Sequence, residues 1–164
     1  IVDSFIAKDS QILIILTSIG RIFKFDLSNE YISPCSRQSR GYNLIKLLPE
    51  ETVVSCCKCY IEDNIIIASK KGKFYKINLD KIYNSWNAKL GYINEKLIMK
   101  SDEFIRIFSD KQDCFIETNK EKTAKLNFSE LKFLEKKYIY DMKLLKMDEN
   151  EYLQNIYIIN KLNT

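Results

Sequence analysis

The side chains of this sequence that could do chemistry are cations at repeated positions. Arg21, Lys73 and Lys122 each follow a turn directly, and Lys24, Lys76 and Lys125 stand three residues further on. Between the first two sets lies Ser36-Arg37-Gln38-Ser39-Arg40-Gly41, whose arginines suit the forked hydrogen bonds that phosphate oxygens accept. Cations recurring with a structural unit make a regularly spaced basic track. A flexible polyanion lying along it would be held through phosphates, with weak dependence on sequence and strong dependence on salt. The bland reading of the same residues is that they solvate outer strands and block edge-to-edge pairing. With 26 basic and 22 acidic residues the net charge is only +4, so the segregation of charge decides between the two.

Other chemistry is poorly supported. The chain has no His, which excludes Ser–His and Cys–His pairs. Its four scattered Gly make no phosphate-cradling loop. Asp148-Glu149-Asn150-Glu151 reads as a solvated hairpin tip. Cys56, Cys57 and Cys59 lie in one apolar stretch, where neighbours on a strand face opposite ways and cannot converge on one metal. A zinc site would need Cys35 or Cys114 as a fourth ligand, so the five Cys read as small buried thiols in a reducing compartment. No apolar run reaches the length that spans a bilayer.

The elements that position the cations come from a repeat. Gly20 and Gly72 are 52 residues apart, and Gly41 and Gly91 are 50 apart. Around them Ile14 to Leu27 aligns with Ile66 to Leu79 and, more loosely, with Phe115 to Phe128. In the third copy Glu121 replaces the glycine, and Asn119 is expected to take the left-handed position of the turn. A period near 50 built of strand-like segments predicts propeller blades of four antiparallel strands. Residues 1–10 read as the end of a preceding blade, with Ile1 to Ala7 a strand. Copy one covers 11–60, copy two 61–108 and a degenerate copy three 109–164.

Within copy one, Ile12 to Leu16, Arg21 to Leu27, Asn43 to Leu48 and Val53 to Tyr60 read as strands. Alternation along the second puts Arg21, Phe23, Phe25 and Leu27 on one face and Ile22, Lys24 and Asp26 on the other. In copy two the strands are Ile65 to Ser69, Lys73 to Leu79, Gly91 to Met99 and Glu103 to Phe108. Trp86 is expected to pin the loop 81–89 to its blade, since Trp is mostly buried. In copy three Leu131 to Lys137 is a candidate short helix, and Tyr138 to Met147 and Tyr152 to Ile159 are strands around the acidic turn. Three copies are too few to close a ring, and both ends of the chain fall in strand-like text. An incomplete, truncated all-β propeller is therefore expected.

Leu16-Thr17-Ser18-Ile19-Gly20-Arg21-Ile22-Phe23-Lys24-Phe25, followed by Ser36-Arg37, Gly41 and Ile45-Lys46-Leu47-Leu48-Pro49, resembles the C-terminal domain of DNA gyrase A, or of its relative in topoisomerase IV. The resemblance covers about two thirds of the chain and is weakest in copy three. It implies a six-bladed β-pinwheel that bends duplex DNA around a basic rim, contacting phosphates. The contacts implied are Arg21, Lys24, Arg37, Arg40, Lys46, Lys70, Lys71, Lys73, Lys76, Lys122 and Lys125. The partners implied are the rest of the gyrase A polypeptide and the ATPase subunit of the enzyme, gyrase B, with no membrane. ATP and magnesium would act elsewhere in the holoenzyme, and this chain itself would carry no cofactor and no catalytic residue. It lacks the Arg-Tyr pair of the family's cleavage site.

The gyrase heptad Gln-Arg-Arg-Gly-Gly-Lys-Gly is absent, and Gln38-Ser39-Arg40-Gly41 is only a partial echo. Because the Leu-Leu-Pro stretch matches a neighbouring blade, the heptad is expected before Ile1. If residues 38–44 instead stand in for it, a decatenating, topoisomerase IV-like role gains. The implied location is the bacterial cytoplasm, on the chromosome, with a plastid or similar organelle as the alternative. A protein-binding propeller without a nucleic-acid role remains the runner-up; it requires an exposed apolar patch and no basic rim.

Overall fold

The computed structural model describes residues 1–28, 32, 35–86, 91–92, 102–128, 139–143 and 147–159. Among the described residues ten strands form three antiparallel sheets. They are β1 (Ile12–Thr17), β2 (Ile22–Asp26), β3 (Val53–Cys59), β4 (Asn64–Ser69), β5 (Lys73–Asn78), β6 (Phe104–Ser109), β7 (Asp113–Thr118), β8 (Thr123–Asn127), β9 (Ile139–Lys143) and β10 (Leu153–Ile159). The all-β expectation holds: the only helical turn among the described residues is the short 3-10 segment Leu79–Lys81.

Each sheet repeats one plan. The first strand of a copy is central, flanked by its hairpin partner and by the copy's last strand, in the orders β2-β1-β3, β5-β4-β6 and β8-β7-β10. The hairpins close through the same turn, in which Gly20, Gly72 and Glu121 donate to the carbonyls of Thr17, Ser69 and Thr118 at 2.9–3.0 Å. All three have positive φ, +83°, +75° and +61°. The left-handed residue of the third turn is thus Glu121 and not Asn119. The repeat geometry overrides the cost of a side chain there, a cost small enough for an exposed polar residue to bear.

The fourth strand of a blade comes from the following copy. On β2, Ile22 bridges to Tyr92, with both backbone hydrogen bonds formed at 2.9 and 2.7 Å. In the same place β5 pairs with β9, from Lys73 opposite Lys143 to Ile77 opposite Ile139. Sheets and sequence copies are therefore offset by one strand. β9 and β10 do not form a hairpin, because one joins the second sheet and the other the third.

Two expected strands do not form. Residues 1–8 and 43–48 take no strand pairing. The first are tethered instead by Asp3, which accepts from the Cys56 amide at 2.7 Å and pairs with Arg106 at 3.1 Å. In 43–48, Leu44 and Ile45 pack on Ile15, Phe23 and Phe25. The expectations for 131–137 and for most of 93–99 lie outside the described residues.

The core lies between the sheets. Ile14, Leu16 and Ile22 meet Ile65, Ile67, Tyr75 and Ile77 between blades one and two, and Ile66, Phe74 and Phe108 meet Cys114, Ile116 and Phe128 between blades two and three. Both faces of the middle strands are buried, so β4 runs Ile65 to Ser69 without an exposed residue. Trp86 pins its loop as expected: its indole donates to the Asp26 carbonyl at 2.8 Å and packs edge-on against Phe25 at 5.0 Å.

Candidate nucleic-acid interface

The cations after the turns do not form an open track, because the fold gives most of them an acid. Arg21 is buried; its Nε donates to Glu51 Oε1 at 2.8 Å and its Nη2 to Oε2 of the same carboxylate, as well as to the Lys46 carbonyl at 2.8 Å. Glu51 closes the turn Leu48-Pro49-Glu50-Glu51, its amide donating to the Leu48 carbonyl and its carboxylate accepting from the Leu48 amide. Burial alone would raise the Glu51 pKa, but hydrogen bonds from Arg21, the Leu48 amide and the Thr17 hydroxyl outweigh it and hold the group at about 2.

Copy three repeats the device. Lys122 Nζ lies 2.8 Å from Glu151, which closes Asp148-Glu149-Asn150-Glu151 in the same way and accepts from the Thr118 hydroxyl at 2.8 Å. Glu151 is likewise held at about 2, by the Asp148 amide first and then by Lys122. The acidic tetrapeptide is therefore a structural clamp and not a solvated tip: Glu151 is buried although its neighbours 148–150 are exposed or nearly so.

The second set of cations faces the next blade and not the rim. Lys24 Nζ donates to the Leu79 carbonyl of blade two at 3.0 Å; burial lowers its pKa, with Asp80, Cys59 and Asp26 acting the other way. Lys76 is buried against Asp110 at 2.8 Å and donates to the Phe128 carbonyl of blade three at 3.3 Å. Lys125, which no described blade covers, is exposed and meets Asp113 of its own sheet at 3.3 Å. The expectation that Arg21, Lys24 and Lys76 line the surface is thus corrected. Arg21 is held in an intrablade clamp, and Lys24 and Lys76 lie between blades.

Of the expected contacts in copies one and two, those left at the surface lie in two stretches. One is the loop of copy one, where Arg37 and Arg40 are exposed, with Lys46 beside them. The other is the tip of copy two, with Lys71 and Lys73 exposed and Lys70 half-buried, 3.2 Å from Glu103 and stacked on the Tyr152 ring. Lys120, at the matching tip of copy three, was not singled out by its pattern; it is exposed, 3.7 Å from Asp148. Glu51, Asp110 and Glu151 were also missed. The available signal was a carboxylate 30 residues after Arg21 and 29 after Lys122.

The thiols behave as expected except at Cys35. Cys57, Cys59 and Cys114 are buried and Cys56 is partly so, and burial pushes Cys56 to about 11 and Cys59 and Cys114 to about 12. Cys35 is exposed, in the arginine loop, 3.4 Å from the Tyr42 hydroxyl. No group of three metal-ligating side chains occurs among the described residues.

Hairpins with a left-handed turn residue recur in all three sheets, the next copy lends a strand to the first two, and copy one adds a basic loop. Residues 11–56 and 63–83 match the DNA gyrase C-terminal domain, beta-propeller family. The match falls on the first two blades. Three solved structures share the fold across nearly the whole chain. The C-terminal domain of DNA topoisomerase IV aligns with a TM-score of 0.74 at 18% identity over 96% of this chain and 49% of that one. The E. coli ParC C-terminal domain aligns with 0.61 at 16% over 93% and 64%, and a DNA gyrase A C-terminal domain with 0.52 at 13% over 93% and 67%. The chain thus spans about half the length of that topoisomerase IV domain. No curated protein sequence matches it. The fold is that of these β-pinwheel domains, as the residues of copy one led us to expect, and no helix among the described residues is long and apolar enough to cross a membrane.

Proposed function

We propose that this chain is a DNA-binding and DNA-bending domain of a type IIA topoisomerase, of the gyrase A kind, without an active site of its own. The observation that carries the reading is the exposed loop with Arg37 and Arg40, inside a stretch that matches the gyrase C-terminal family. With Lys24, Lys76 and Arg21 withdrawn, the DNA contacts fall to Arg37, Arg40 and Lys46 on one blade and Lys70, Lys71 and Lys73 on the next. Lys70 among these, and Lys122 and Lys125 beyond them, are contacts of second rank, because acids already partner them. Two basic clusters on successive blades would hold a duplex through phosphates at two points and favour a bent path. The partners of such a domain would be the rest of the gyrase A polypeptide and the ATPase subunit of the enzyme, with ATP and magnesium used in the holoenzyme, on a bacterial chromosome. A topoisomerase IV type remains the second reading, favoured by the higher TM-score of 0.74.

The test is binding of duplex DNA across a salt series. Affinity falls steeply with salt, and Arg37→Glu with Arg40→Glu weakens all sequences alike and shallows the slope of log K against log salt by about 2, roughly one for each phosphate no longer neutralised. Binding that ignores salt, or that is untouched by the double reversal, overturns the reading.

A further inference from the structure

The parts of the acid clamp recur in all three sheets, but the clamp closes in only two. The strand ladders fix which residues correspond. Thr17 pairs with Val53, Ser69 with Phe104 and Thr118 with Leu153. The acids two residues before those partners, Glu51, Asp102 and Glu151, therefore share one place. Four residues after the hydroxyls stand Arg21, Lys73 and Lys122. The hydroxyl side of the clamp is kept in blade two, where Ser69 Oγ accepts from the Lys73 amide at 3.2 Å, as Thr17 Oγ1 accepts from the Arg21 amide at 3.1 Å.

The acid side differs. Asp102 is one methylene shorter than Glu51 and Glu151. Its Oδ1 accepts from the Lys71 amide at 3.0 Å and from the Glu103 amide at 2.9 Å, and its Oδ2 is buried with no hydrogen-bond partner. The neighbouring Glu103 has 72% of its side chain exposed and pairs with Lys70 at 3.2 Å. Lys73 is exposed and forms no ion pair among the described residues.

We propose that Asp102 is a positioning residue for DNA binding: by falling one methylene short of Lys73, it leaves that cation to a phosphate of the duplex. Glu51 and Glu151 do the opposite, holding Arg21 and Lys122 at 2.8 Å. A lysine already neutralised by a carboxylate gains little from a phosphate, because the phosphate meets the carboxylate's charge as well and few counterions are released. A buried carboxylate oxygen without a donor costs stability, so the short acid is a loss to the fold that a contact at the surface would offset. The role rests on the DNA-binding reading and deepens it. The length of one acid, and not the number of lysines at a tip, decides whether the cation after the turn meets DNA.

The test measures duplex binding by fluorescence anisotropy across a salt series. Asp102→Glu keeps the net charge at +4, so the field of the whole protein predicts no effect. Closing the clamp on Lys73 should instead shallow the slope of log K against log salt by about 0.9, the share of one phosphate contact. Lys73→Ala should shallow it equally in the unchanged chain and add nothing in Asp102→Glu, as expected of two changes that act through one contact. Lys122→Ala should cost clearly less than Lys73→Ala. These last two changes fall on exposed side chains and keep the test open if Asp102→Glu disturbs its turn. Binding by the unchanged chain that ignores salt would overturn the DNA reading and this role with it. Salt-dependent binding whose slope Asp102→Glu leaves unchanged, or from which Lys73→Ala and Lys122→Ala take equal shares, would overturn the role of Asp102 alone.

Discussion

Lys76 and Lys125 occupy the same place in successive copies, three residues after the cation that follows the turn, and meet opposite fates. Lys76 has 4% of its side chain exposed and is paired with Asp110, itself 2% exposed. Lys125 has 56% exposed. Their strands have the same hairpin geometry; what differs is the next blade. Asp110 belongs to the turn that opens copy three, and the Phe128 carbonyl ends the second strand of that copy, so Lys76 is covered by a neighbour that Lys125 lacks among the described residues. The same residue type at the same spacing is a surface cation or a buried one according to whether a further repeat stacks upon it.

Removing the buried acid should have the largest effect. Asp110→Ala strips Lys76 of this counter-charge and Asn64 of two hydrogen bonds, while the Phe128 carbonyl stays in place. A buried pair broken from one side costs about 3–5 kcal/mol, a large share of the stability of a small domain. Urea denaturation should therefore move far to lower midpoint. A shift no larger than that of a surface variant would mean that the interface between blades two and three is wet.

A smaller effect separates the two acid-closed turns. Glu51 and Arg21 are both buried, whereas Glu151 is buried under an exposed Lys122. The native pKa of Glu51, about 2, lies below its unconstrained 4.5, so its contribution to stability is complete above pH 4.5 and lost as pH falls from there toward 2. The thermal midpoint should fall through that interval, and Glu51→Gln should flatten the fall. Trp86, packed on Phe25 in the same blade, reports it by fluorescence. An unchanged acid slope in Glu51→Gln would show that the clamp adds nothing.

The blades were legible in the sequence because period-two strands and a left-handed turn residue are local properties, and Gly20, Gly72 and the Leu-Leu-Pro run declare them. The strand exchange was not, because Gly91-Tyr92 and Ile139–Lys143 look the same whether they pair within their own copy or with the one before. The candidate site was legible only in part. Arg37 and Arg40 stand in a polar loop and stay exposed, as loops do. Arg21, Lys24 and Lys76 lie in or beside strands with two buried faces, where a cation is tolerated once an acid or carbonyl from 30 to 55 residues away meets it. Those partners are set by tertiary stacking, and no spacing within a strand announces them.

The smallest effect is the control for the largest. Lys125→Ala removes a cation from an exposed ion pair with Asp113, and such pairs contribute at most about 1 kcal/mol because water screens them and the long side chain loses freedom in holding the geometry. The same change should vanish in about 1 M salt, where charges more than about 3 Å apart in solvent are screened, while the cost of Asp110→Ala persists because no ion reaches the buried lysine. Measured side by side in urea at low and high salt, the two variants should differ in size and in salt response together. A Lys125→Ala loss that matches Asp110→Ala and resists salt would mean that the third blade is covered after all, and that position in the repeat, not stacking, decides whether this lysine is buried.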